Sequence, residues 1–233
     1  MGRDCAAHRD RSRIGAARTE RGGTVAERPL TGLAGRVQEL QADLTRRELP
    51  ELAHACGAAL VDGRLQMKVW GTAVTISAPD FVARDAATGE ALDPLTQALV
   101  AYYLHTADGM LPADHWIAFT ELPDGRFYTQ AFQGYTGREL AQTFGNDVAH
   151  FGETAVALAG TAVPFADAAF RFQALPRVPV LAVCWQGDED FPPSYKILFD
   201  AHTPHYLPTD ACAILGSMLT RHLLKVADPK SLL

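Results

Sequence analysis

ALVDGRLQMKVWGTAVTISAPDFVARDAATGEAL, residues 59–92, is the stretch whose reading decides the fold. Short runs rich in Val, Ile, Leu and Thr are broken at Asp62-Gly63, Gly71, Pro79 and Thr88-Gly89. Asp-Gly and Gly-containing breaks between β-type runs are hairpin turns, because their central residues need positive φ. Strands joined by two-residue turns are antiparallel, since a parallel pair needs a long crossover. The spacing therefore predicts an α+β fold with a mostly antiparallel sheet and helices packed on it, not a doubly wound parallel sheet.

On the N-terminal side, Pro50 to Gly57 reads as a short helix, with Pro at its start and Gly past its end. Before it, Leu33, Val37, Leu40 and Leu44 keep helical spacing and stop at Arg46-Arg47. Residues 1–28 hold seven arginines against four acids, a local +3, so the rest of the chain carries −9 of the net −6. This opening has no apolar run and no helical face. It predicts a disordered basic tail over 1–30, or translated sequence upstream of the true start, with Val25 a candidate start. One ordered domain is expected over 31–228, with 229–233 as a C-terminal tail.

On the C-terminal side, Asp93-Pro94 opens a helix as N-cap and N1 and runs to Gly109. Trp116 to Glu121 reads as a strand, Asp124-Gly125 as a turn, and Phe127 to Phe132 as the returning strand. Arg138 to Phe144 and Asp147 to Ala159 read as helices ended by Gly145 and Gly160. Ala168 to Leu175, Val178 to Trp185 and Ser194 to Asp200 read as strands, with Pro192-Pro193 at the mouth of the sheet, outside the ladder. Thr209 is expected to cap a long helix to Val226.

With 233 residues and 48% hydrophobic content, the chain can bury a substantial core. No window of eighteen apolar residues occurs, so no membrane span is expected. The net charge of −6 argues against a nucleic-acid binder. Cys5, Cys56, Cys184 and Cys212 are widely spaced, without a CxxC, so the chain carries no zinc ribbon or iron–sulfur ligand run, and the cytoplasm is the natural compartment. GxxxxGK[ST], GxSxG, HExxH and GxGxxG are all missing.

The polar groups gather in GDEDFPPSYKILFDAHTPHYLPTDA, residues 187–211. Asp200 ends an apolar strand, and His202 and His205 follow. Two imidazoles three apart in a loop can face one metal ion, with Asp190 or Asp200 supplying oxygen. The same residues can instead contact a cofactor or substrate, or simply brace a turn made rigid by Pro204 and Pro208. Asp188-Glu189-Asp190 reads either as a solvated turn or as a cation contact beside His205. Tyr206, Trp116 and His105, which closes the YYLH helix, complete the candidate ligand contacts. Trp116 belongs to an aromatic set that reads first as core.

GDEDFPPSYKILFD and HYLPTDA, with YYLHTADG, HWIAFTELPDGRFY and DAAFRFQALPRVPVLAVCWQGDEDFP upstream, resemble the closing and internal motifs of the bacterial and archaeal family called domain of unknown function 3786. The resemblance spans roughly Leu52 to Leu224. It departs at the end, where Asp210 is followed by Ala211 instead of a second acid. It implies proximity to redox or tetrapyrrole chemistry, because relatives are sometimes joined to an iron–sulfur domain of the kind found in corrinoid proteins. The expectation is a binding module for a small ligand or tetrapyrrole-type cofactor that assists an iron–sulfur or corrinoid partner. The alternative is a metal-dependent enzyme built on His202, His205, Asp200 and Asp190.

Overall fold

The computed structural model describes residues 27–228, so most of the expected basic tail and the segment 229–233 lie outside the described residues. Residues 27–30 open the first helix, α1 (Glu27–Leu44), which buries Val37, Leu40 and Leu44 as their spacing requires. Helix α2 (Leu49–Cys56) ends at Gly57, whose φ of 66° is the left-handed cap that glycine adopts without a Cβ penalty.

The hairpin stretch folds as expected into a four-stranded antiparallel sheet, ordered β1 (Ala59–Val61), β2 (Arg64–Val69), β3 (Thr72–Ser77), β4 (Ala83–Asp85). Its first two turns have positive φ at both central residues: 50° and 72° at Asp62-Gly63, 50° and 82° at Trp70-Gly71. That pairing matches the twist of the flanking strands. Sidedness follows the alternation, with Leu65, Met67 and Val69 buried between exposed neighbours.

Helix α3 (Pro94–Thr106) is capped by Asp93, whose side chain accepts from the Leu95 and Thr96 N–H groups. A second antiparallel sheet has the order β5 (Trp116–Ala118), β9 (Ser194–Asp200), β8 (Val178–Trp185), β7 (Ala168–Leu175), β6 (Thr161–Ala162). Strand β8 is central, which explains its unbroken apolar run. Val178, Val180, Ala182 and Cys184 join the main core, and Leu181 and Val183 join a satellite cluster on the opposite face. Helices α5 (Gly137–Phe144), α6 (Val148–Ala157) and α7 (Thr209–Ala227) cover the main-core face. The Trp70 N–H donates to Ala174 O, tying the small sheet to β7, and one continuous core spans both. The single α+β domain stands as the sequence predicts.

Three expectations are corrected. The strand expected over Trp116 to Glu121 ends at Ala118, and Phe119–Glu121 is a 3-10 turn. The segment expected as a returning strand, Phe127 to Phe132, is part of helix α4 (Gly125–Gly134). Its aromatics favour a strand by propensity, but only Phe132 is buried, stacked on Phe119 at 4.1 Å, while Phe127 is 84% exposed. Gly125 sits where any Cβ would meet Phe119 O, so the chain can turn tightly off the short β5 into a helix instead of extending the sheet. Thr209 is the first residue of α7 and not its cap. Pro208 holds the cap position, and the Thr209 hydroxyl donates to Pro123 O. The Pro192-Pro193 pair lies before β9, unpaired, as a residue without N–H must.

Candidate functional site

The end of β9 builds a polar corner. Asp200 is only 1% exposed, and its carboxylate accepts three backbone N–H bonds: Ala113 at 2.9 Å, Asp114 at 2.8 Å and His202 at 2.9 Å. A buried carboxylate needs such partners, and here they clamp the loop between α3 and β5 onto the strand end. A further bond from Ala201 N to His115 O closes the clamp. The strand end therefore fixes both the loop and the start of the 3-10 turn over Thr203–His205.

That clamp sets the two histidines. His202 Nδ1 lies 2.8 Å from Leu111 O, and His205 Nδ1 lies 2.6 Å from Asp108 Oδ2. A carbonyl oxygen only accepts, so His202 carries its proton on Nδ1. Asp108 is held below the usual carboxylate range by the Met110 N–H and by His205, so it too is an acceptor. With both Nδ1 atoms engaged, Nε2 is the nitrogen each ring has left to offer, and the ring centres lie 5.4 Å apart. Tyr206 behind them is fully buried, donates to Met110 O and stacks on Tyr103 at 5.4 Å. Burial pushes its phenol up to about 12, so it stays protonated.

Of the other sequence candidates, Asp190 and His105 stand outside this corner and Trp116 adjoins it. Asp190 stands beyond the opposite end of β9, which alone spans roughly 20 Å. Its N–H is held by the Asp188 carboxylate in a local turn, and Asp188 is lowered by the Phe191 and Asp190 N–H groups. The set His202, His205 and Asp190 is thus not assembled. Among the described residues no group of three or more His, Cys, Asp or Glu is arranged to hold a metal ion. His105 Nε2 lies 3.8 Å from Asp43 Oδ2 at the other end of the loop clamp. Trp116 pairs with Asp200 in register and lies on the satellite-cluster face. Cys56, Cys184 and Cys212 are buried and form no disulfide.

A second place was not visible in the sequence. Two adjoining cavities of about 430 and 260 Å³ flank α7 and share Tyr135 and Ala213. Tyr128, Tyr135 and Asp210 meet there only because α4 is helical. Asp108, the partner of His205, was also missed. It sits inside the YYLHTADG motif, but nothing local to that motif points across 97 residues to His205.

With the geometry in place, the comparisons decide the relationship. The family model described as "Domain of unknown function (DUF3786)" matches residues 48–222. The chain belongs to this family. No curated protein and no solved structure matches it. Within this DUF3786 chain, the motifs that carried the resemblance meet at one corner: Asp108 from YYLHTADG, His115 from HWIAFTELPDGRFY, Asp200 from the strand motif and His205 from HYLPTDA.

Proposed function

We propose that this DUF3786 chain is a non-catalytic binding module that presents His205, with His202 beside it, to a ligand bringing its own metal, a tetrapyrrole-type cofactor. The observation that carries this reading is the anchoring of both Nδ1 atoms, which leaves Nε2 as the uncommitted nitrogen of two rings whose centres lie 5.4 Å apart. A ligating histidine is typically oriented by a carboxylate or carbonyl on its other nitrogen. Asp200 is occupied by three N–H groups and Asp108 by His205 and Met110, and among the described residues no third His, Cys, Asp or Glu is arranged with the two imidazoles to hold a metal ion. A free divalent ion is poorly served by two imidazoles, whereas a tetrapyrrole would bring its own nitrogens to the metal and would be held by His205, with His202 beside it. Such a group, once bound, supplies redox chemistry at its metal. The protein's part is to offer a fixed imidazole and to release or shield the cofactor for a redox or corrinoid-linked partner. The described part of this chain has no clustered cysteines, so an iron–sulfur cluster would belong to that partner.

The alternative, a metal-dependent enzyme, draws on the same two imidazoles, with water or substrate completing the shell. One experiment separates them. The purified chain is titrated with aquocobinamide, a corrinoid with open axial positions, and separately with Co²⁺, and visible spectra are recorded. A corrinoid band shift that is saturable and absent in His205→Ala supports the binding module. A Co²⁺ spectrum typical of protein nitrogen ligands, with no corrinoid shift, favours the enzyme. Parent-like spectra of His205→Ala with both probes sink both readings.

A further inference from the structure

We infer that the smaller cavity beside α7 is a binding site for the ammonium head of a small organic cation, independent of the histidine corner. The cavity, about 260 Å³, is lined by the rings of Phe119, Tyr128 and Tyr135 and by the carboxylate of Asp210. Aromatic rings with a single carboxylate form the lining that recognises alkylated ammonium groups, because ring quadrupoles attract a cation that hydrates weakly. A neutral apolar ligand would gain nothing from a carboxylate at its edge and would strip water from it.

The side chains behind the lining hold Asp210 ready. Tyr102 is 7% exposed, and its hydroxyl donates to Asp210 Oδ2 at 3.2 Å. Arg36, whose charge also acts on the Tyr102 hydroxyl, pairs with Glu39 at 3.0 Å, so its charge is largely offset. The start of α7 places about half a positive charge nearby. The full negative charge of Asp210, which also accepts from the Ala211 N–H at 2.9 Å, outweighs that by about half a charge, and the residue is exposed and lines the cavity. Past Tyr135, the 430 Å³ cavity carries Glu139 and Arg221, opposite charges that leave room for the polar remainder of the ligand. The two spaces together fall in the range of ordinary small-molecule sites. The net charge of −6 favours approach of a cation over an anion.

The test uses choline chloride and its neutral isostere 3,3-dimethyl-1-butanol on the full chain, with saturation-transfer NMR and calorimetry at matched ionic strength. Choline should bind saturably and about tenfold more tightly than the isostere, the order expected of a desolvated cation–ring contact. Asp210→Asn, which keeps an acceptor for Tyr102, should weaken choline about tenfold and leave the isostere unchanged. Tyr128→Leu, at a ring that is 63% exposed, should weaken choline alone while preserving the fold. Equal binding of choline and the isostere, choline binding unaffected by both substitutions, or no binding of either probe each overturn the proposal. None of these outcomes touches the corrinoid titration of the histidine corner, so the two sites stand or fall separately.

Discussion

The histidine corner and the α7 groove hold polar groups in opposite ways. In the corner nearly every polar atom is consumed by backbone: Asp200 by three N–H groups, His202 by Leu111 O, Tyr206 by Met110 O. In the groove, Asp210 has one side-chain partner, Tyr102, and stands among rings that neither donate nor accept to it. The lesson is that a dense polar motif is first a device for fixing chain direction. What remains for chemistry is the capacity left over: the Nε2 edges of two imidazoles in one place and a carboxylate that lines a cavity in the other.

The largest effect expected is at Asp200. Asp200→Ala removes the charged acceptor of three part-buried backbone N–H groups, each bond worth on the order of 1–3 kcal/mol. A loss of about 4 kcal/mol, read as a melting temperature lower by roughly 10 °C, follows for a domain of this size. A loss under about 1 kcal/mol would break the contrast, because the corner would then not depend on its carboxylate.

Next comes the floor of the groove. Gly216 on α7 lies against Phe132, and an added Cβ would fall 2.6 Å from its ring. Phe132 stacks on Phe119, which lines the small cavity. Gly216→Ala should cost about 1–3 kcal/mol by overpacking and should weaken choline binding, with the fold retained by circular dichroism. Unchanged stability in chemical denaturation would mean that α4 does not pack on α7 as described.

A third imidazole sharpens the comparison, because it has burial without a carboxylate bond. His222 packs edge-on to Trp70 at 5.4 Å, and burial, then Lys225, hold its pKa below the usual histidine value, while Asp93 opposes them weakly. A lowered histidine pKa favours the folded state above the unfolded value, about 6.5. Stability from this group should therefore be full above that pH and fall as pH drops below it toward the folded value. Melting curves from pH 7.5 to 5.5 should show this slope, and His222→Gln should flatten it. An identical slope in the variant would sink the assignment.

The smallest effect is expected at His205. Its ring and Asp108 are 37% and 49% exposed, so their pairing is largely screened. His205→Ala should change stability by less than about 1 kcal/mol while removing the corrinoid band shift. A large destabilisation with unchanged corrinoid binding would make this histidine a brace like Asp200.

Element types were largely legible where local chemistry is strict. Asp62-Gly63 and Gly71 fix hairpins because positive φ leaves few alternatives, and Asp93-Pro94 fixes a helix start because its cap bonds are local. The strand ends at Asp200 and the break at Pro192-Pro193 were legible for the same reason. Phe127 to Phe132 was not, because the same aromatic residues suit a strand or a helix, and burial of Phe132 against Phe119 decided between them.

Of the site, the sequence by itself determined that Asp200, His202 and His205 lie together, since they are neighbours in the chain just past a strand. Only the tertiary structure decided what each is free to do. Asp108 reaches His205 across 97 positions, and Ala113 and Asp114 reach Asp200 across 87 and 86. Tyr128, Tyr135 and Asp210 meet only after α4 packs beside α7. Hydrogen bonds and ring contacts act over a few ångströms of space, and the antiparallel sheet, not the order of residues, sets which distant groups come that close.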